Sequence, residues 1–236
     1  MPNWVRTKVY FGKGEVGKTN MEYVKSTYGT EGESGEIDLD FNKIVPMPED
    51  LMIEKSSKSR DALQMYVYMG QKGLDAPTAE KVIDAYANTL DSEYDTIEID
   101  DETYAKLLDK YKDEASEMLK LGSKVAHNII TYGCTDWYEW RIENWGTKWN
   151  GSTVKWDEDD IGWYVLMDTA WYVPFPIILK LSEMFPNKHM ACMYSDETSE
   201  PCGTALFCNG KIDFNITERS MDSDCKDKIH NNVWGE

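Results

Sequence analysis

The hydrophobic pattern divides the sequence into three blocks, and this division limits the fold more than any other feature. Apolar and polar residues alternate over 4–11, and a second alternating run at 36–45 predicts another strand. From 56 to 133 the apolar residues recur at helical spacing instead. Beyond this block a short aromatic helix is predicted at 136–145, and strands return from 161 onward. An α+β protein follows, because strands at both ends frame a block of helices.

The strands at the two ends of the chain are expected to form one sheet. Neither end has enough strands for an independent sheet, whereas together they supply about five. We therefore predict a single α+β domain over 1–236, with 56–133 inserted in it as a helical segment. The sheet should be mixed or antiparallel, with helices on one face. Phe41 and Asp168 should lie on neighbouring or near-neighbouring strands, with Trp145 packed near them.

Helix caps inside the insertion follow from short acidic residues at helix starts. Asp75 precedes Ala76-Pro77 and is expected to cap one helix, and Asp100 or Asp101 is expected to cap the next. Methionine and tyrosine at helical spacing in this block predict packing between helices, not a ligand site.

Composition and charge restrict the function. The formal net charge of −18 repels phosphate backbones, so binding to duplex nucleic acid is not expected. The sequence shows neither a signal peptide nor an apolar run long enough to span a bilayer, so we expect no membrane association. Five cysteines without a C-x-x-C pair indicate reduced thiols in a cytoplasm. We expect no cofactor and no metal. Zinc held by the four C-terminal cysteines is an alternative, although their spacing does not match a zinc knuckle.

One motif points to nucleotide chemistry. The segment 12–19 satisfies G-x-x-x-x-G-K-[ST] between the first strand and a helix predicted over 20–28. Backbone N–H groups there could bind phosphates, and Asp168 could assist in holding Mg²⁺. The nucleotide-binding residues would be Gly12, Gly17, Lys18 and Thr19. The order of elements argues against this, because P-loop folds alternate parallel strands with helices. A glycine-rich turn from strand to helix is the simpler explanation.

Several segments resemble a known family. They are Trp4-Val5-Arg6, the run 40–49, the run 140–150, and Asp168-Thr169-Ala170-Trp171 leading into Pro174 and Pro176-Ile177. In this order they resemble the YubB-like ferredoxin-like family, which is carried by phages, prophages and plasmids. The resemblance covers the first fifty residues and about 136–197. It implies a ferredoxin-like α+β sandwich and assigns no catalytic residues.

The resembling segments combine tryptophans with short polar side chains. Any single tryptophan is more often part of a core than of a recognition surface. The polar residues are harder to explain by packing, because a buried polar group costs free energy unless it is paired. A shared binding pocket is therefore predicted from Asn42, Lys43, Asn144, Trp145, Thr147, Lys148, Trp149, Asp168 and Trp171.

No set of residues in the sequence predicts catalysis. His127, His189 and His230 have no Ser or Cys nucleophile motif near them. We therefore expect a non-catalytic accessory protein of a phage or plasmid, in the host cytoplasm. It would bind a host protein through an acidic or Trp-rich surface.

Two alternatives to protein binding stay open. The first is a P-loop nucleotide hydrolase that uses Lys18, Thr19 and Asp168. The second is a pocket for single-stranded nucleic acid or a free nucleotide, in which a base stacks on a tryptophan. The stacking tryptophan would be Trp145, Trp149 or Trp171.

Overall fold

The computed structural model describes residues 3–32, 35–74, 76–93 and 96–235. It divides into two compact units. The sheet unit comprises Met1–Pro46 and Arg141–Glu236, and the helical unit is Met47–Trp140. The helical unit contains the segment 56–133 predicted as an insertion, but it begins nine residues earlier and ends seven residues later. In the part of the chain described, no helix has both the length and the apolar character needed to cross a bilayer.

Eight strands are present in the described residues. In chain order they are β1 (Trp4–Gly12), β2 (Gly29–Glu31), β3 (Ile37–Leu39), β4 (Ser152–Glu158), β5 (Trp163–Ala170), β6 (Met190–Asp196), β7 (Cys202–Cys208) and β8 (Lys211–Thr217).

In the sheet unit α-helices occur between the strands, whereas the described part of the helical unit contains helices and turns without strands. In chain order they are α1 (Gly14–Tyr28), α2 (Phe41–Ile44), α3 (Ser57–Met69), α4 (Ala76–Tyr86), α5 (Asp101–Lys110), α6 (Ala115–Tyr132), α7 (Trp137–Trp145), α8 (Phe175–Glu183) and α9 (Ser223–Trp234). Short 3-10 turns lie at Glu49–Leu51, Leu90–Glu93 and Glu218–Ser220, and one π turn lies at Gly70–Leu74.

A six-stranded antiparallel sheet has the order β4-β5-β1-β6-β7-β8. The N-terminal strand β1 lies inside it, with Arg6 opposite Asp168 of β5 on one side and Ser195 of β6 on the other. The prediction that the two ends of the chain share one sheet is therefore confirmed, as is the α+β class.

Both faces of β1 are covered. Side chains alternate across a strand, so Phe11 lies on one face while Lys8 and Tyr10 lie on the other. The ring of Phe11 contacts Phe185, just beyond α8. Lys8 donates a hydrogen bond to the side-chain oxygen of Asn232 of α9, and the Tyr10 hydroxyl lies 3.3 Å from the same oxygen. The segment just beyond α8 therefore covers part of the first face, and α9, which the sequence pattern did not predict, covers the second.

The prediction of a single strand over 36–45 is wrong, because this run contains a short strand followed by a short helix. The strand β3 is short and pairs with β2 in a separate two-stranded sheet. The side chain of Asp40 then accepts a hydrogen bond from the Asn42 backbone N–H and begins α2. Phe41 consequently lies on a helix, although its ring contacts Trp145 as expected, with centroids 6.0 Å apart. The pattern also missed β4.

The helical unit is built around the pair α3 and α6. Buried Leu63, Val67, Val125 and Ile129 belong to one apolar cluster in this unit. The predicted cap Asp100 is confirmed, because its side chain accepts a 2.8 Å hydrogen bond from the Thr103 backbone N–H. Asp75, the other predicted cap, lies outside the described residues.

Close packing between α1 and the end of β1 requires a glycine. Gly12 has a φ of 111°, and a Cβ added at Gly17 would lie 2.1 Å from the carbonyl oxygen of Gly12. Gly12 and Gly17, the two glycines that the motif requires, are therefore explained by the approach of the helix to the strand.

We predict that Gly17→Ala lowers the free energy of unfolding by about 1–3 kcal/mol, because the added methyl group must displace backbone. Urea denaturation followed by circular dichroism measures this change. Val16→Ala is the matched control, since Val16 lies on the exposed side of the same helix. Equal stability of the two variants would contradict the packing explanation.

Candidate functional site

Four aromatic side chains meet solvent at one end of the central strands. Trp4 begins β1 and lies opposite Ala170, the last residue of β5, so Trp171 and Tyr172 follow at that same end. Trp149 joins them, with its ring centroid 6.3 Å from that of Trp4. Trp149, Trp171 and Tyr172 are 40%, 45% and 60% exposed. We call Trp4, Trp149, Trp171 and Tyr172 the aromatic surface.

Hydrogen bonds hold the three segments of the aromatic surface together. The hydroxyl of Thr147 is buried and donates to the carbonyl of Ala170 at 2.9 Å, which keeps the chain before Trp149 beside β5. The hydroxyl of Thr169 donates to the carbonyl of Tyr172 at 2.8 Å. These hydrogen bonds therefore fix the backbone that carries Trp149, Trp171 and Tyr172.

Trp171 adopts an unfavourable backbone conformation. Its φ is 71°, in the left-handed region that a bulky residue rarely enters. The backbone N–H of Trp171 donates a 2.9 Å hydrogen bond to the carbonyl of Asn3, which helps to hold this conformation. Such strain costs of order 1–3 kcal/mol and is typical of functional sites. Core packing does not explain it, because the Trp171 side chain faces solvent.

Charged groups near the aromatic surface are already engaged. The ammonium of Lys148 lies 4.0 Å from the ring centroid of Trp149. Arg6 donates two hydrogen bonds, of 2.7 and 2.8 Å, to the carboxylate of Asp168. The same guanidinium lies 4.1 Å from the ring centroid of Trp234 in α9. Asp168 therefore forms a bidentate ion pair within the sheet.

The predicted binding residues fall into exposed and structural positions. Trp145 is 1% exposed, and its indole N–H donates to the carbonyl of Val45 at 2.9 Å, so it belongs to the core. Thr147 and Asp168 have the structural bonds described above. Partly buried positions are Asn144 and Lys148, and exposed positions are Asn42, Lys43, Trp149 and Trp171. The aromatic surface thus contains only part of the predicted set.

The geometry required of a phosphate loop is not present. Helix α1 begins at Gly14, so most of the motif is helical. The Gly17 backbone N–H donates to the carbonyl of Lys13, and the Thr19 hydroxyl donates to the carbonyl of Glu15. These donors are used inside the helix.

The proposed magnesium ligand is also misplaced for a phosphate loop. Asp168 lies opposite Arg6, six residues before Gly12 on β1, which corresponds to roughly 20 Å along the strand. The ammonium of Lys18 lies 5.6 Å from the ring centroid of Trp163. The described geometry therefore does not supply the phosphate loop and magnesium ligand that the nucleotide-hydrolase hypothesis requires.

A buried polar network lies between β1 and α9. Lys8, only 6% exposed, donates a 2.6 Å hydrogen bond to Asp159, and the hydroxyl of Tyr10 donates to the same carboxylate at 2.9 Å. Burial alone would raise the pKa of Asp159, but hydrogen bonds from Lys8, from backbone N–H groups and from Tyr10 lower it overall. Burial, and then the bond to Asp159, raise the pKa of Tyr10. Every member has a partner, so the network is structural.

We predict that Asp159→Ala lowers the free energy of unfolding by about 2–4 kcal/mol at pH 7, because Lys8 stays buried without its carboxylate. The lowered pKa of Asp159 means that the pair stabilises the fold at neutral pH and that this contribution is lost below about pH 4. Urea denaturation at several pH values measures both effects.

The neighbouring Asp157→Ala is the control for this measurement. Asp157 is exposed and lies 3.5 Å from Lys155 in a surface ion pair, so its loss should change stability by less than about 1 kcal/mol. The double variant Lys8→Met with Asp159→Ala should be more stable than Asp159→Ala alone. If it is not, the buried charge of Lys8 is not the source of the loss.

The helical unit has a cavity of about 220 Å³. Its lining combines apolar side chains with the start of α3 and several charged groups: Lys55, Ser56, Ser57, Ser59, Arg60, Leu63, Tyr86, Asp91, Val125, Thr135 and Asp136. Lys55 donates a 2.6 Å hydrogen bond to Asp91. Burial raises the pKa of Asp136. Sequence reasoning missed this cavity, since nothing marks Asp91 or Asp136 among 43 acidic residues.

Comparison with known proteins supports the fold. Residues 144–232 match the family model described as the ferredoxin-like domain in Api92-like protein. This range runs from the end of α7 through β4 to β8 and into α9, and it agrees with the predicted ferredoxin-like α+β fold. A crystal structure of a protein api92 from Yersinia pseudotuberculosis is similar at 12% identity and a TM-score of 0.41, covering 92% of this chain and 98% of that chain. No curated protein matches the sequence significantly.

Proposed function

We propose that the aromatic surface binds a host protein, and that the chain is a non-catalytic accessory protein of a phage or plasmid acting in the host cytoplasm. The mobile-element setting comes from the resemblance of the sequence to the YubB-like family. The binding role rests on one observation: Trp171 keeps a strained backbone conformation while its side chain faces solvent.

Residue type supports a protein partner. Tryptophan and tyrosine are enriched at protein interfaces, because a rigid ring gives a large contact area at little cost in side-chain entropy. Here such rings come from three chain segments at the same end of the sheet, and three of the four rings are at least 40% exposed. Since hot spots of binding energy are rich in the same residues, Trp149, Trp171 and Tyr172 would be the anchors.

The charge of the chain favours a basic partner. A net charge of −18 attracts positively charged proteins and speeds their encounter. Lys148 over the ring of Trp149 illustrates the contact expected from the partner, namely a Lys or Arg over an exposed aromatic face. We therefore propose that the bound segment carries arginine or lysine.

Single-stranded nucleic acid is the less favoured ligand. A base could stack on Trp149 or Trp171, at roughly 1–3 kcal/mol per base. The net charge opposes the approach of a phosphate backbone. Trp145, one of the three candidates for stacking, is buried in the core and cannot accept a base.

The test uses Trp171→Gly, because glycine adopts a positive φ without strain. We expect this variant to be as stable as the natural chain or more so, and to bind labelled Arg-rich peptides at least about tenfold more weakly. Fluorescence anisotropy at low and moderate salt measures binding, with Glu-rich peptides and single-stranded oligonucleotides as parallel ligands. Peptides captured from host proteins by the natural chain and lost in Trp171→Gly would then identify the partner segment.

Phe214→Ala is the matched control, since Phe214 is a 47% exposed aromatic residue on β8. Its removal should leave peptide affinity unchanged. Equal loss in both variants would show nonspecific adhesion to exposed rings. Tighter binding of oligonucleotides than of Arg-rich peptides would replace the proposal with the nucleic-acid alternative.

A further inference from the structure

Three different metal-binding side chains meet at the end of the sheet where β6 begins and β7 turns into β8. His189, Cys208 and Asp213 each offer one ligand atom, and these nitrogen, sulfur and oxygen atoms lie within 4.8 Å of one another. The His189 Nε2 and the Asp213 Oδ2 are 2.8 Å apart. Cys208 is partly buried, whereas His189 and Asp213 are exposed.

The sheet register explains how the three side chains meet. Met190 lies opposite Phe207, so one further step of the same register places His189 beside Cys208. On the other side, Phe207 lies opposite Ile212 and Leu206 opposite Phe214, which leaves Asp213 as the extra residue of a β-bulge. Bulges redirect side chains and are frequent beside functional sites. This bulge brings the Asp213 carboxylate to His189.

The surrounding backbone is fixed by local bonds. The turn from β7 to β8 is Asn209-Gly210, and both residues have positive φ, as in a tight hairpin turn. The side chain of Asn209 accepts a hydrogen bond from the Asn187 backbone N–H at 3.0 Å. The Gly210 backbone N–H donates to the hydroxyl of Ser182 at 2.9 Å. The backbone of the turn that follows Cys208 is thus fixed by these bonds.

We propose that His189, Cys208 and Asp213 bind a zinc ion. Imidazole nitrogen, thiolate sulfur and carboxylate oxygen are all zinc ligands, and in a tetrahedral site they lie roughly 3.3–3.6 Å apart. The three ligand atoms lie within 4.8 Å of one another, and the His189–Asp213 pair, now 2.8 Å apart, would separate slightly to admit the ion. Thiolate and carboxylate together balance the charge of Zn²⁺. Three protein ligands leave a fourth position for water or for a group of a bound molecule.

This site differs from the four-cysteine site considered from the sequence. Cys192 is buried inside β6, and burial raises the pKa of its thiol to about 12, which disfavours the thiolate that zinc requires. Cys225 is exposed on α9. The expectation of no metal site is likewise replaced by this proposal.

The first test uses the natural chain in its reduced form. Native alkylation with iodoacetamide, read by mass spectrometry for each cysteine, should show Cys208 protected by Zn²⁺ at least about tenfold. Cys225 is the internal control, because it is an exposed thiol away from the proposed ligands. Equal protection of both thiols, or protection of neither, would overturn the proposal.

The second test identifies the ligands. Co²⁺ replacing zinc should give a thiolate-to-metal charge-transfer band and tetrahedral visible bands. Cys208→Ser should abolish the charge-transfer band, and Asp213→Asn or His189→Ala should weaken Co²⁺ affinity at least about tenfold. Cys225→Ser and His127→Ala are the controls and should change neither. If His189 and Asp213 form only an ion pair, Co²⁺ will give no charge-transfer band, and the proposal fails.

Discussion

The structure depends on the pairing of β1 with β5 and β6. This pairing joins two parts of the chain that the helical unit separates in sequence. This pairing places β1 inside the sheet, with β5 and β6 as its neighbours. An inner strand has no solvent-facing edge, and here both of its faces are also largely covered, since Val5 and Val9 are fully buried and Lys8 nearly so.

Covering both faces of β1 explains what the sequence could predict and what it could not. The alternation of apolar and polar residues predicted the strand and its apolar face, because Val5, Val9 and Phe11 gain free energy from burial under any covering element. It could not show that Lys8 and Tyr10 are also buried, since lysine in a strand ordinarily marks a wet face. Their cover is α9, whose sequence is mostly polar, and the charge of Lys8 is tolerated because Asp159 lies 2.6 Å away. That partner comes from a loop far along the chain.

The candidate site shows the same division between local and long-range information. The sequence marked the tryptophans as a group but could not separate Trp145, which fills the core, from Trp149, which is exposed four residues later. That difference depends on the end of α7, where the ring of Trp145 contacts Phe41 and the chain then leaves the helix. The phosphate-loop motif at 12–19 was equally ambiguous. Its glycines could serve to bind phosphate, but they also permit a helix to begin close to a strand. The bulge that brings Asp213 to His189 leaves no mark in the sequence pattern at all.

The two proposed sites lie at opposite ends of the same strand. The register places Val5 opposite Asp196, at the end of β6 near the aromatic surface, whereas His189 precedes the start of β6. Seven residues of strand separate these ends, which corresponds to roughly 20 Å. Sites this far apart with no shared partners are energetically independent in most proteins. Loss of peptide binding in Trp171→Gly should therefore leave zinc binding intact, and a shared loss would mean that the sheet itself has been disturbed.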